Sequence, residues 1–264
     1  MQHKQLTTNN GTIHYWLKRH ADTSAKCIVF THGMGADHTM YDAELEYFSK
    51  DYTVLVWDMP LHGLSIDYQV FSYQDMARVL HSMLQQEKIT RVVLVGMSMG
   101  GVPSQMFISM FPDMVEGFIA LDTLPLGMQY YAKSTLRMLK PITWIMKCLP
   151  EKVLKKQMAK SICYTKESYD KTLQMLEPLS KKQIMAQVCA VFKMFIIENK
   201  NITIQCPVLI LLGEYDTLAG IQGICGKWAD YIGCSLHKIE HAGHFSNGDN
   251  PEDVREEIER FLEI

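Results

Sequence analysis

No stretch of the 264 residues approaches the roughly 18 uninterrupted apolar residues that a bilayer span requires. The opening MQHKQLTTNNGTIHYW has no apolar core of the kind that marks a secretory leader, so the expectation is a cytoplasmic protein. Seven cysteines (27, 148, 163, 189, 206, 225, 234) make an odd count with no CxxC pair. That pattern suggests neither a disulfide framework nor a zinc ribbon, and most of these thiols are expected to be buried or nearly so. A net charge of −3 gives no drive toward nucleic acid. Gly33-x-Gly35 lacks the third glycine of a dinucleotide loop, and His241-x-x-His244 lacks the glutamate and the helical setting of a zinc motif. No cofactor and no metal are therefore expected.

What is present is the material of a globular α/β domain, with 47% hydrophobic and 21% charged residues. Residues 4–18 read as a polar hairpin turning at Asn9-Asn10-Gly11. Short β-rich runs follow near 27–31, 52–57, 92–96, 116–121, 207–212 and 235–240. Helical periodicity occupies 40–50, 73–88, 100–110, 222–232 and 251–263. This alternation predicts a mostly parallel sheet with helices on both faces. The last helix starts at Asn250-Pro251-Glu252-Asp253, a capping residue, a proline at the first helical position and acids in the first turn.

Residues 125–200 break the alternation. They show only helical periodicity, with interruptions expected at Pro141, Pro150 and Pro178. The expected organisation is a core in two parts, 1–124 and 201–264, with a helical insertion over 125–200 between two strands. The insertion holds 14 Lys or Arg against 5 Asp or Glu, and seven of the 18 methionines. Lysines for solubility and methionines for a core would explain this. So would a lid that is apolar beneath, where adaptable methionine meets varied ligands, and cationic outside.

The chemistry concentrates in VVLVGMSMGG, residues 92–101. A serine becomes a nucleophile when its hydroxyl is presented without cover, faces a base and lies beside donors for an oxyanion. Gly-x-Ser-x-Gly between a strand and a helix meets the first demand and makes Ser98 the candidate nucleophile; a plain tight turn in which Ser98 only caps a helix is the alternative. The same arrangement predicts an acid and then a histidine on loops after later strands. Asp216 in PVLILLGEYD and His244 in SLHKIEHAGHF occupy such places, with Asp122 after GFIALD as the rival acid. The backbone N–H groups of Met99, next to Ser98, and Met34, in His32-Gly33-Met34-Gly35, are the candidate oxyanion donors.

With HGMG at 32–35, DMPLHGLS at 58–65, GMSMGG at 96–101, GEYD at 213–216 and HAGH at 241–244, the chain from about residue 12 onward resembles the α/β-hydrolase-fold serine hydrolases. The resemblance implies a helical cap after the sixth strand, where 125–200 falls, and a Ser98–His244–Asp216 triad acting through an acyl-enzyme without a cofactor. One departure is Leu61, where the family often has glycine in the second motif. Serine at 98 argues against the branches with an aspartate nucleophile. A small-molecule carboxylic ester with an apolar acyl part is the expected substrate, and the positive charge of the cap would suit an anionic leaving part or transient contact with a lipid surface. Carbon–carbon bonds, thioesters, amides and N-terminal peptide bonds stay open, as does a ligand-binding member that does not turn over.

Overall fold

A computed structural model of the chain describes residues 1–132 and 139–263. Its strands are β1 (Gln2–Thr8), β2 (Gly11–Lys18), β3 (Cys27–Thr31), β4 (Thr53–Trp57), β5 (Val92–Met97), β6 (Val115–Leu121), β7 (Val208–Gly213) and β8 (Ser235–Ile239). They form one eight-stranded sheet in the order β1-β2-β4-β3-β5-β6-β7-β8. Only the pairings of the N-terminal hairpin, β1 with β2 and β2 with β4, are antiparallel.

The residue pattern explains the layering. Strands β3, β4 and β5 are buried at every position, so their sequences CIVFT, TVLVW and VVLVGM are nearly continuous apolar runs. Alternate side chains serve opposite faces. Leu55, Trp57 and Leu94 pack in one core, and Val54, Val56, Val93 and Val95 in the other. Helices α2 (Tyr73–Gln86) and α3 (Gly101–Met110) contribute to the first core, and α1 (Asp42–Phe48) to the second. The chain leaves β3 toward β4 and leaves β5 toward β6, so the strand order reverses between the adjacent β3 and β5. In such sheets the crevice at the carboxyl ends of the strands flanking the reversal is where ligands bind.

Between β6 and β7 lie α4 (Leu139–Cys148), α5 (Glu151–Ile162), α6 (Lys166–Leu176) and α7 (Lys181–Glu198). Pro150 and Pro178 fall at helix breaks, as the sequence suggests, but Pro141 sits inside the first turn of α4. Proline there lacks only an N–H that has no intrahelical partner, so it opens the helix without interrupting it. The part of the expected insertion at 133–138 lies outside the described residues. Leu154, Leu176, Ile184 and Val188 give these helices a small core of their own. They are tied to the sheet domain by Gln187 Nε2 donating to Leu61 O at 2.6 Å, Tyr73 Oη to Val191 O at 3.2 Å and Phe245 N to Ile162 O at 2.8 Å.

Helices α8 (Ile221–Ile232) and α9 (Pro251–Leu262) complete the fold. The start of α9 has the anticipated cap, with the Asn250 side chain accepting from Asp253 N. All seven cysteines are free; Cys148 on α4 is exposed, and the rest are buried or partly so. No helix among the described residues is long and apolar enough to cross a membrane.

Candidate active site

Ser98 stands between β5 and α3 with φ of +50°, a left-handed conformation that costs an L-residue strain and lifts its side chain off the turn. The glycines around it are required by proximity. A Cβ at Gly96 would lie 2.6 Å from Gly101 Cα, and one at Gly100 would lie 2.2 Å from Thr31 O. Only hydrogen at those positions lets β3, β5 and α3 approach so closely.

Two later loops meet this serine. His244, after β8, has Nε2 2.7 Å from Ser98 Oγ and Nδ1 2.6 Å from Asp216 Oδ2. A carboxylate only accepts, so Nδ1 carries the proton, and Nε2 is left to accept from the serine hydroxyl. Asp216, buried after β7, is itself oriented by Leu218 N, which donates to Oδ1 at 2.9 Å. Burial of the imidazole opposes its protonation. The hydrogen bond and charge of Asp216, with the charge of Asp122, outweigh that and hold the His244 pKa above its ordinary value.

Asp122 is placed differently. Its Oδ1 accepts from Gly213 N at 2.8 Å, and its Oδ2 accepts from Ser246 N at 3.1 Å and Ser246 Oγ at 2.5 Å. It thus pins the end of β6 to β7 and to the turn that follows His244. Burial, reinforced by the charge of Asp216, pushes its pKa up to about 7.

Met99 directly follows Ser98, and Met34 lies in the loop after β3, where a Cβ built on Gly33 would be 3.5 Å from Ser98 Cβ. That loop is fixed by a residue to which the sequence assigned no role. The buried His32 accepts from Met59 N at Nε2 (3.1 Å), which leaves Nδ1–H to donate to Gly33 O (2.8 Å). Burial keeps this ring neutral by lowering its pKa. A second residue without an assigned role is Asp58. Its carboxylate accepts from His38 N, His38 Nδ1 and Leu64 N at 2.8, 2.9 and 2.7 Å. The signal for both lay in the quoted HGMG and DMPLHGLS motifs. Leu61 adopts φ of +67°, a backbone state that glycine enters freely and leucine does not.

Ser98 and His244 open into a cavity of about 660 Å³. Seven methionines line it, among them Met34 from the loop after β3 and Met146, Met158 and Met175 from α4, α5 and α6. From the same group of inserted helices come Ile142, Val191, Phe192 and Phe195. Among the described lining residues there is no Lys or Arg, and Asp122 is the one carboxylate. His241, by contrast, stacks at the surface on Tyr164. Elsewhere His237, Asp253 and Glu257 bring ligand-type atoms within 4.8 Å of one another. Arg260 already pairs with Glu257, and Asp253 accepts from Glu240 N, which makes this trio an ion-pair cluster of β8 and α9.

A model of the alpha/beta hydrolase family matches residues 28–257. The chain belongs to that family. Among solved structures, a thermophilic esterase from Thermogutta terrifontis aligns with a TM-score of 0.79 and 20% identity over 100% of this chain and 98% of its own. An esterase from Exiguobacterium antarcticum aligns with a TM-score of 0.83 and 16% identity over the whole of both chains. A 3-oxoadipate enol-lactonase 2 from Acinetobacter baylyi is 22% identical over 97% of this chain and 95% of that protein. At these identities the solved structures establish the α/β-hydrolase fold, and the chain is an enzyme of that family.

Proposed function

We propose that this α/β-hydrolase is a carboxylic ester hydrolase with Ser98 as nucleophile, His244 as base and Asp216 as the acid that orients it. The observation that carries this reading is the continuous hydrogen-bonded row Asp216–His244–Ser98 ending in a methionine-lined cavity. His244 takes the serine proton as Oγ attacks the acyl carbon, and Asp216 stabilises the imidazolium. The amides of Met34 and Met99 receive the oxyanion. His244 then returns the proton to the leaving alcohol, and water activated by the same ring releases the acid.

The cavity favours a neutral substrate with an apolar acyl chain. A ligand bearing carboxylates, as the name 3-oxoadipate denotes, would bring those charges against an apolar wall with no described cation to compensate them. On this reading residues 125–200 are the cap over the site, and the seven free thiols fit a cytoplasmic setting.

The test is hydrolysis of p-nitrophenyl esters of increasing acyl length by the wild type and Ser98→Ala, with fluorophosphonate labelling alongside. Turnover that peaks at one chain length and disappears with Ser98 supports the reading. Labelling of Ser98 without ester turnover would redirect the same serine to another bond, and neither labelling nor turnover would leave a binding protein.

A further inference from the structure

Helix α4 is apolar on two sides. Toward the interior, Ile142 and Met146 line the cavity above Ser98. At 100° per residue, Pro141, Trp144, Ile145 and Cys148 fall together on a second arc about 100° wide. All four are exposed, Trp144 by 69% and Ile145 by 55%. A helix whose apolar surface extends over both of these arcs belongs at an apolar boundary, and this one has water on its second face.

The polar groups beside that arc are cationic. Lys147 adjoins Trp144 on the helical wheel, and its backbone carbonyl at the end of α4 accepts from Lys181 Nζ at 2.8 Å. Lys152 and Lys156 on α5, and Lys182 next to Lys181 on α7, are exposed and, like Lys147, have no ion-pair partner among the described residues. The acid at this end, Glu151, is engaged by Lys155 and by Lys181 N. Exposed tryptophan and isoleucine bordered by unpaired lysines match the interfacial zone of an anionic bilayer, where the indole settles at headgroup level and ammonium groups meet phosphate.

We propose that the outer face of α4 docks on an anionic lipid surface, bringing the cavity mouth at Ile142 to the membrane. Binding does not depend on the ester-hydrolase reading and is measured without turnover, although a lipid-borne acyl substrate would extend that reading. Each lysine near such a surface strengthens partitioning by roughly fivefold.

The experiment is co-sedimentation of the full chain with vesicles of phosphatidylcholine alone and of phosphatidylcholine mixed with phosphatidylglycerol. Wild type, the double variant Trp144→Ala/Ile145→Ala and the double variant Lys147→Ala/Lys182→Ala are compared, with thermal melting to establish that each is folded. The expected result is binding to the anionic vesicles that weakens with salt, at least tenfold loss in both variants, and little binding to phosphatidylcholine alone. Ser98→Ala should bind as the wild type does, even if no ester is ever turned over. Absence of binding by the wild type, or equal binding by folded variants, overturns the proposal. So does a wild-type dimer that Trp144→Ala/Ile145→Ala converts to monomers without vesicle binding, which would make the face a contact between two copies.

Discussion

Asn247 Nδ2 donates to Glu44 Oε1 at 3.4 Å, while Glu44 Oε2 and Asn247 Oδ1 are both buried without a partner among the described residues. A protonated carboxyl facing an amide closes a second hydrogen bond from Oε2–H to Oδ1 and satisfies both atoms at once. Burial pushes the Glu44 pKa up to about 7, so the neutral acid is well populated in the folded protein. The pair matters to the site because Asn247 is three residues beyond His244.

Glu44→Gln is therefore expected to keep activity and to stabilise the protein at neutral and higher pH. The folded state holds the Glu44 proton more tightly than the unfolded chain, so the wild type loses stability as pH rises from about 4.5 to about 7. The glutamine variant lacks that loss, on the order of 3 kcal/mol at most. Urea denaturation of both proteins at either end of this window measures it. Parallel pH dependences in the two would refute a buried titrating Glu44.

Asp216 and Asp122 should separate cleanly on mutation. Asp216→Asn removes the acceptor that fixes the His244 tautomer and is expected to lower kcat by about 10⁴ with little effect on folding. Asp122→Asn turns one accepting oxygen into a donor that faces Gly213 N or the Ser246 group. Its main cost is stability, about 1–3 kcal/mol. Steady-state kinetics with denaturation curves compares them, and a larger kcat loss at Asp122 would transfer the acid's role to that residue.

The pH–rate profile follows from the same geometry. On the proposed mechanism His244 must be neutral at Nε2 to accept the serine proton, and Asp216 raises its pKa above the ordinary value. Activity should thus fall as pH drops through a value above 6.5. In Asp216→Asn the residual activity should have its acid limb at lower pH. A limb that does not move would show that another group controls it.

Much of this was legible in the chain because the determinants are local. Fully buried parallel strands must be apolar throughout, and Ser98 needs glycines at 96, 100 and 101 because neighbouring backbone at the first two and the Thr123 side chain at the third leave no room for Cβ. The loops carrying Asp216 and His244 could be located, but their meeting at Ser98 comes from strand order, which the sequence expresses only through the motifs. The Glu44–Asn247 pair joins residues 203 positions apart, and no local pattern marks either as a partner. The same holds for Gln187 reaching Leu61 O from α7. Pro141 was misplaced for a different reason, since proline breaks a helix interior yet suits its first turn.

His38 and Asp58 give a prediction about stability apart from catalysis. Their contact joins the loop after β3, which carries Met34, to the loop after β4. Burial works against charge on His38, but the hydrogen bond and charge of Asp58 hold its pKa above the ordinary value. Burial likewise opposes charge on Asp58, and His38 together with Leu64 N keeps its pKa below the ordinary carboxylate range. The histidine contribution is complete below its unfolded pKa of about 6.5 and is lost as pH rises through the higher folded value. The aspartate contribution is complete above its unfolded pKa of about 3.9 and is lost as pH falls through the lower folded value. Both operate between about 4 and 6.5, so stability from this pair peaks there. His38→Gln keeps a donor toward Asp58 without the titration, and it should remove the decline on the alkaline side of the peak. Trp16 stacks on His38 at 3.4 Å between ring centroids, and urea denaturation of the wild type and His38→Gln at a series of pH values measures the effect. An unchanged alkaline decline in His38→Gln would assign it to Glu44 and Asp122 instead, the two buried carboxyls whose pKa values rise to about 7.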